Sequence, residues 1–151
     1  MPTSLFVVRP VNWIASRDKL RAVRRAVFIE EQNVPEELEW DEADDCAYHV
    51  LATGVEGNAI GTGRLKPDGQ IGRMAVAKEW RSRGVGAAIL QTLLELARKE
   101  GCSAVRLHAQ SHALRFYARF GFVAVGDEFD EAGIPHRAME LRLEPGRAMS
   151  A

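Results

Sequence analysis

The 151-residue chain contains only two cysteines, Cys46 and Cys102, which lie far apart. Because neither belongs to a Cys-x-x-Cys pair, the sequence predicts two reduced thiols, with no disulfide framework and no zinc site. No apolar run reaches the ~20 residues of a membrane-spanning helix, and the opening MPTSLFVVRP lacks the basic start and apolar core of a secretion signal. We therefore expect a cytoplasmic protein without a membrane partner.

An excess of charge of one sign is also lacking. The formal net charge is -1, with 27% charged and 46% hydrophobic residues. This balance is typical of an ordinary globular protein and gives no reason to expect a nucleic-acid partner. The length fits one domain that buries its own core. We predict a domain over residues 1–145 and a short tail at 146–151.

The hydrophobic periodicity predicts strands alternating with helices. We expect a strand at 5–9 that ends at Pro10, and an amphipathic helix at 17–32 with Asp18 near its start. The later elements are strands at 47–54, 59–66 and 70–76, a helix at 84–100, a strand at 103–109, a helix at 112–120, and strands at 122–129 and 136–143. Hairpins in the first half and strands leading into helices in the second predict an α/β (α+β) fold with a mixed sheet.

The segment PEELEWDEADD, residues 35–45, is strongly acidic. Three interpretations are open: a solvated loop with at most one helical turn, a surface that attracts a cationic amine, and a metal site. The loop is favoured over the other two. The spacing of a calcium loop, with its turn glycine and distal glutamate, is missing, so we expect no metal.

The segment RMAVAKEWRSRGVGAAIL, residues 73–90, joins the end of a strand to an arginine-rich turn and the start of a helix. The first N–H groups of a helix lack intrahelical acceptors and attract anions. Gly84 and Gly86 would let a phosphate approach the main chain, and Arg81 and Arg83 add positive charge. Two other phosphate-binding patterns, the Walker loop with its GK[ST] and the dinucleotide-binding GxGxxG, are both missing. A diphosphate suits this turn; the alternative is that Ser82 caps the helix and the glycines ease packing.

The string Arg81-Ser82-Arg83-Gly84-Val85-Gly86 resembles the (Gln/Arg)-x-x-Gly-x-(Gly/Ala) signature of the GCN5-related N-acetyltransferases (GNAT). The strand before it and QSHALRFYARFGF after it resemble that family's fourth strand and AxxFYxxxGF helix. RRAVFIEEQNVPEELEWDEADD is similar to the ElaA/YjcF-type branch. The resemblance covers about residues 5 to 143 and implies the GNAT fold, a mixed, mostly antiparallel sheet of six to seven strands flanked by about four helices.

The resemblance also implies an acetyl-CoA-dependent N-acetyltransferase in which a primary amine attacks directly in a ternary complex. The pyrophosphate would lie on the turn, and the pantetheine arm would run along the edge of the fourth strand. At the position of Gln110 the family often has Asn, which contacts the pantetheine. The implied cofactor-binding residues are Met74, Ala75, Val76, Arg81, Ser82, Arg83, Gly84, Val85, Gly86, Ala87 and Gln110.

Acyl transfer from a thioester to an amine needs a neutral nucleophile and a proton for the departing thiolate. The resemblance implies that Tyr117 is the general acid. The residues alone, without the resemblance, indicate a core or boundary aromatic residue. Glu31 shares a helical face with Arg24 and is the candidate base, or else the two form a structural pair.

Three further residues are candidates for binding the acceptor: Arg24, Arg73 and His136. Arg73 could instead pair with the acidic segment. His108 and His112, which flank the fifth strand, are expected to be structural.

Two other functions stay open. A domain of the same fold could sense acyl-CoA without turnover. The VFIEEQ…DEADD region also faintly resembles acyl-homoserine-lactone synthases, which would imply a longer acyl donor. The acceptor is open between a small-molecule amine and a peptide, and exposed strand edges in this fold commonly pair into homodimers.

Overall fold

Seven strands form one mixed sheet in the computed structural model, which describes residues 5–144. The predicted tail lies outside these residues. Neighbouring strands are antiparallel, except that β4 and β5 are parallel, which confirms the predicted mixed, mostly antiparallel sheet. The order is β1-β2-β3-β4-β5-β7-β6, with β1 at Phe6–Val11, β2 at Tyr48–Gly54, β3 at Ala59–Leu65, β4 at Gln70–Val76, β5 at Ala104–Gln110, β6 at Val123–Glu131 and β7 at Ile134–Arg142.

Four α-helices lie among the described residues, and they agree with the predicted number. They are α1 at Trp13–Arg24, α2 at Glu36–Glu39, α3 at Val85–Lys99 and α4 at Leu114–Ala118. α1 continues as a π-helix over Arg25–Glu31, and short 3-10 turns lie at Glu42–Asp45, Lys78–Trp80 and Ser111–Ala113. Within residues 5–144, no helix has both the length and the apolarity needed to cross a membrane.

The first strand and the first helix differ from the predicted boundaries. β1 does not end at Pro10 but continues to Val11. β1 is an edge strand that pairs only with β2, and on its unpaired side a proline, which has no N–H, costs the sheet no hydrogen bond. α1 begins at Trp13 because Asn12 caps it, its side chain accepting a hydrogen bond of 3.0 Å from the N–H of Ala15. Asp18 has no part in this cap.

α3 packs very closely on one face of the sheet. A Cβ atom on Gly61 would lie 2.8 Å from Cδ1 of Ile89, and one on Gly63 would lie 2.7 Å from Cγ2 of the same residue. Any larger residue at either glycine would therefore push the helix away from β3. The close approach leaves Ile89, Leu90 and Leu93 completely buried in the main core.

Buried ion pairs hold the acidic segment against the other face of the sheet. Arg24 of α1, only 1% exposed, donates to Glu39 at 2.9 Å and to Asp44 at 3.0 Å. Arg64 of β3 donates to Asp44 at 3.0 Å and to Asp41 at 2.7 Å. The solvated-loop interpretation is wrong for Glu39 and Asp44, because they pair with arginines from distant parts of the chain.

Burial and charge act in opposite directions on these carboxylates. Burial alone would raise the pKa of Asp44, but its hydrogen bonds and charge interactions with Arg24 and Arg64 outweigh burial and keep the pKa below its usual value. At Glu39 burial dominates and raises the pKa, although Arg73 and Arg24 oppose it. Asp44 is therefore the securely ionised centre of this cluster.

Replacing Arg24 should destabilise the fold strongly. Arg24→Leu is expected to lower the free energy of unfolding by about 3 kcal/mol, because it leaves Glu39 and Asp44 buried with one cation fewer. Arg25→Ala is the matched control at the next position, since it removes an ion pair with Glu36 in which both side chains are nearly half exposed, and a contact with the ring of Trp40. Urea denaturation followed by circular dichroism measures both. Equal losses in the two variants would contradict the structural role of Arg24.

Candidate functional site

A cleft opens where β4 and β5 separate. The two parallel strands pair only at Gln70 with Arg106 and at Ile71 with Leu107, and they diverge beyond these pairs. A cavity of about 610 Å³ lies in the gap. Among the residues named from the sequence, its walls bring together Glu31, Arg73, Met74, Ala75, Val76, Arg81, Gln110, Tyr117 and His136.

The free edge of β4 presents main-chain groups to this cleft. The N–H of Ala77 donates to the carbonyl of Ile60 on β3 at 2.8 Å. Since successive residues of a strand direct their main-chain groups to opposite sides, those of Met74 and Val76 point away from β3 and toward the gap. An extended ligand that carries amide groups could pair with this edge as another strand would.

The turn before α3 holds a cluster of unpaired main-chain donors. Ser82 and Gly84 have left-handed backbones, with φ of 64° and 87°, and α3 begins at Val85 with no side-chain cap. The alternative in which Ser82 caps the helix is therefore wrong. None of the N–H groups of residues 82–87 donates to another described residue. Such a concave set of donors at a helix N-terminus is an anion-binding arrangement.

Packing does not account for the second glycine of the turn. A Cβ atom on Gly86 would meet the ring of Phe116 at 3.6 Å, which is an ordinary van der Waals contact. The turn also carries a positive side chain, Arg83, whose guanidinium lies over the ring of Trp80 at 5.0 Å from its centroid. The turn can therefore offer a phosphate both main-chain donors and an exposed positive charge.

Arg81 is fully engaged with protein groups. Its Nε donates to the carbonyl of Val76 at 3.0 Å, and its two terminal nitrogens donate to the two carboxylate oxygens of Glu31 at 2.7 Å each. These hydrogen bonds hold the pKa of Glu31 below its usual value, against a smaller effect of desolvation. Because both oxygens of Glu31 are occupied, the geometry does not support its predicted role as the base.

Arg24 does not belong to the site. Its buried guanidinium contacts Glu39 and Asp44 and does not reach the cavity, so the predicted acceptor contact is wrong, and so is the alternative pair with Glu31. Arg73 lines the cavity but donates to the carbonyl of Glu39 at 2.8 Å and to Asp41 at 3.1 Å. Of its two predicted roles, the structure shows the pairing with the acidic segment.

His136 and Gln110 lie opposite each other on β7 and β5. His136 is 6% exposed, and its Nδ1 donates to the carbonyl of Ile134 at 2.7 Å, which leaves Nε2 as an acceptor. The side-chain amide of Gln110 is hydrogen-bonded to Gln32 at 3.0 Å and to His112 at 2.8 Å. Gln110 therefore bridges the end of the π-helix to β5 and has little amide capacity left for a ligand.

Tyr117 lies on α4 beside the free edge of β4. Its ring makes edge contacts with Phe116 and Phe122, and its hydroxyl lies 3.7 Å from the sulfur of Met74. Burial raises the pKa of Tyr117 to about 12. The hydroxyl is therefore protonated near neutral pH and can act as a proton donor in the cleft.

The cavity also holds a hydrogen-bonded histidine–carboxylate pair that sequence reasoning missed. Nδ1 of His108 lies 2.8 Å from a carboxylate oxygen of Glu131. The alternation along β5, with Val105, Leu107 and Ala109 buried, could have placed His108 on the cavity face, but no local signal indicates Glu131. Across residues 5–144, no three His, Cys, Asp or Glu side chains are grouped as a metal site requires.

Comparison with known proteins gives one consistent result. The model of the acetyltransferase (GNAT) domain matches residues 15–143. The N-acetyltransferase YjcF of Bacillus subtilis, described as uncharacterized, is 39% identical over 121 residues, which cover 78% of this chain and 86% of YjcF.

Two solved structures match over nearly their whole length. The acyl-CoA N-acyltransferase of Pseudomonas aeruginosa has a TM-score of 0.81 at 28% identity, covering 90% of this chain and 99% of that one. Escherichia coli ElaA has a TM-score of 0.80 at 27% identity, with the same coverage of 90% and 99%. The similarity therefore extends over the sheet, the turn before α3 and the cleft together.

A negative charge on the turn should prevent anion binding. Gly86→Asp is expected to weaken the binding of CoA about 10- to 100-fold, because a carboxylate would displace charge-assisted hydrogen bonds of about 1.5–3 kcal/mol. An acidic residue in the first turn of a helix is favourable for folding, so the fold should survive. Gly86→Ala is the control, since its Cβ fits beside Phe116. Calorimetric titration measures both, and unchanged affinity in Gly86→Asp would remove the anion site.

Proposed function

The chain belongs to the GNAT acetyltransferase family, and we propose that it transfers the acetyl group of acetyl-CoA to a primary amine by direct attack in a ternary complex. The observation that carries this proposal is a path of main-chain groups that no described strand or helix pairs, interrupted only at the carbonyl of Val76, which accepts from Arg81. This path begins at the unpaired N–H groups of residues 82–87, follows the free edge of β4, and ends beside the hydroxyl of Tyr117.

The residues present fit this donor. Its pyrophosphate would accept hydrogen bonds from the turn, with Arg83 adding positive charge. The amide groups of the pantetheine would pair with the main chain of Met74 and Val76. The carbonyl of Val76 accepts from Nε of Arg81, so pairing at that position requires this one hydrogen bond to be released, while the terminal nitrogens of Arg81 stay on Glu31. Gln110 is a weaker candidate, because its amide is already bonded to Gln32 and His112.

The chain supplies the proton that the reaction needs at sulfur. As the amine nitrogen bonds to the acetyl carbon, the carbon–sulfur bond breaks and leaves a thiolate. Tyr117 would protonate this thiolate, because its hydroxyl is protonated near neutral pH and lies beside Met74, on the edge that the pantetheine follows. His136 faces the acceptor side, where its Nε2 would accept a hydrogen bond from the incoming amine.

A longer acyl donor is a second candidate for the same reaction. The Pseudomonas aeruginosa relative carries the name acyl-CoA N-acyltransferase, which does not restrict the acyl group to acetyl. The acceptor would be a small-molecule amine or a peptide. We favour acetyl-CoA as the donor, and comparison of donors of different chain length separates the two candidates.

Thiol release tests the proposed reaction. The purified chain is incubated with acetyl-CoA and, separately, with methylamine, ethanolamine, spermidine, glucosamine, lysine and a short peptide with a free N-terminus. At least one amine should release thiol above the rate without amine, and acetyl-CoA should outperform hexanoyl-CoA. Preference for hexanoyl-CoA would favour the second candidate. Calorimetric binding of acetyl-CoA without release by any amine would favour a non-catalytic sensor.

Removal of one hydroxyl tests the general acid. Tyr117→Phe should lower kcat about 100-fold, which is the usual contribution of a general acid, while the affinity for acetyl-CoA stays the same. The remaining ring keeps its contacts with Phe116 and Phe122, so folding is preserved. Tyr48→Phe is the control, because that exposed hydroxyl donates to Glu100 and does not line the cavity. An unchanged kcat in Tyr117→Phe would rule out the acid role.

A further inference from the structure

His108 and Glu131 form a hydrogen-bonded dyad in the cavity wall. Nδ1 of the imidazole lies 2.8 Å from the carboxylate, and the side chains are 40% and 48% exposed. Since an ionised carboxylate only accepts hydrogen bonds, the ring proton lies on Nδ1 and Nε2 keeps its lone pair. We propose that His108 is the general base for the acceptor amine and that Glu131 positions it. This inference rests on the proposed function.

The strand geometry places His108 at the inner end of the cleft. β4 and β5 pair last at Ile71 and Leu107, so His108 is the first residue of β5 beyond the pairing. Its side chain shares a face of β5 with Gln110, two residues further on. On β4 the corresponding residue after the last pair is Gly72, where a Cβ atom would have no neighbour within 4 Å. The missing side chain leaves room for a small nucleophile beside the imidazole.

One further contact helps to fix the orientation of the imidazole. The ring of Phe129 meets His108 edge-on, with 5.0 Å between centroids, and stacks on His136 at 6.0 Å. Glu131 comes from the far end of β6, where the hairpin to β7 closes over the cavity. Phe129 and Glu131 both belong to β6, so this one strand orients the imidazole of β5, as a base that must receive a proton in one direction requires.

Other titratable groups of the cavity are worse placed to take the proton. Both oxygens of Glu31 are bound by Arg81. Glu39 is 3% exposed, and its carboxylate accepts a hydrogen bond from Arg24. His136 has a free Nε2, but its other nitrogen is bonded to a carbonyl, so no carboxylate would balance an added proton. His108 combines an open nitrogen with an anionic partner.

The dyad completes the proton balance of the transfer. An amine that arrives as ammonium loses two protons on becoming an amide. Nε2 of His108 takes the first and passes it to water, which frees the nitrogen lone pair to bond to the acetyl carbon. Tyr117 donates its proton to the departing sulfur. The second proton of the amine, released as the amide forms, restores the Tyr117 hydroxyl. The products are the acetylated amine, CoA as thiol and one proton in water.

Two nucleophiles distinguish a base from a merely structural histidine. The first is the most active primary amine of the panel, which is protonated near neutral pH; the second is hydroxylamine, which is not and needs no base before it attacks. His108→Gln should lower kcat about 100-fold with the primary amine and less than about threefold with hydroxylamine. Glu131→Gln, which keeps the hydrogen-bond acceptor but removes the charge, should lower the rate with the primary amine about tenfold.

Two measurements that do not depend on turnover accompany the rates. Calorimetry should give the same affinity for acetyl-CoA in all variants. Nitrogen-15 spectra of the histidine rings in the unliganded protein should show His108 protonated on Nδ1. Glu128→Gln is the matched control: it lies on the same strand, contacts Ser111 at 2.9 Å and does not line the cavity, so all readouts should stay unchanged.

The outcomes separate the dyad from the proposed function. Suppose that the wild-type chain acetylates the amine, but that His108→Gln lowers kcat equally with both nucleophiles or with neither. The base assignment is then wrong, while the proposed transferase function stands. An Nε2-protonated ring in the wild type would also overturn it. If the wild-type chain turns over no amine, the proposed function fails and the base role fails with it. Because the pair is about half exposed, both variants should fold, which circular dichroism checks.

Discussion

The early separation of β4 from β5 is the constraint on which the site depends. Two residue pairs join the parallel strands, and every group assigned to the reaction lies beyond them. The separation frees the main chain of β4, exposes the cavity face of β5 at His108, and admits the ring of Tyr117 from α4. If the pairing continued to the ends of the strands, the free edge would be hydrogen-bonded and the cavity closed.

The buried ion pairs also brace β4, the strand on one side of that separation. β4 has a bulge at Arg73, where φ is 50° and the register with β3 shifts. The carbonyl of this residue accepts a hydrogen bond from Thr62, and its guanidinium donates to the main chain of Glu39. Glu39 is in turn anchored by Arg24. The acidic segment thus works as a structural support for the strand that forms one wall of the cleft.

The sequence predicted what local patterns encode. Periodicity placed the strands and helices within a few residues, and the turn chemistry at 81–86 pointed to an anion site. Contacts between distant residues could not be predicted in this way. Helical spacing put Arg24 and Glu31 on one face, but their partners, Asp44 and Arg81, lie on other elements and leave neither residue free for an acceptor. The pairing of His108 with Glu131 depends on how the β6–β7 hairpin bends, which no short motif records.

The two residues proposed for proton transfer lie in opposite environments. Tyr117 lies between Phe116 and Phe122, where burial penalises the phenolate and keeps the hydroxyl protonated. His108 lies partly in water beside the carboxylate of Glu131, where its ring would take a proton from the amine and pass it to water. Apolar packing on α4 and a carboxylate on the hairpin therefore set the proposed acid and the proposed base apart across one cleft.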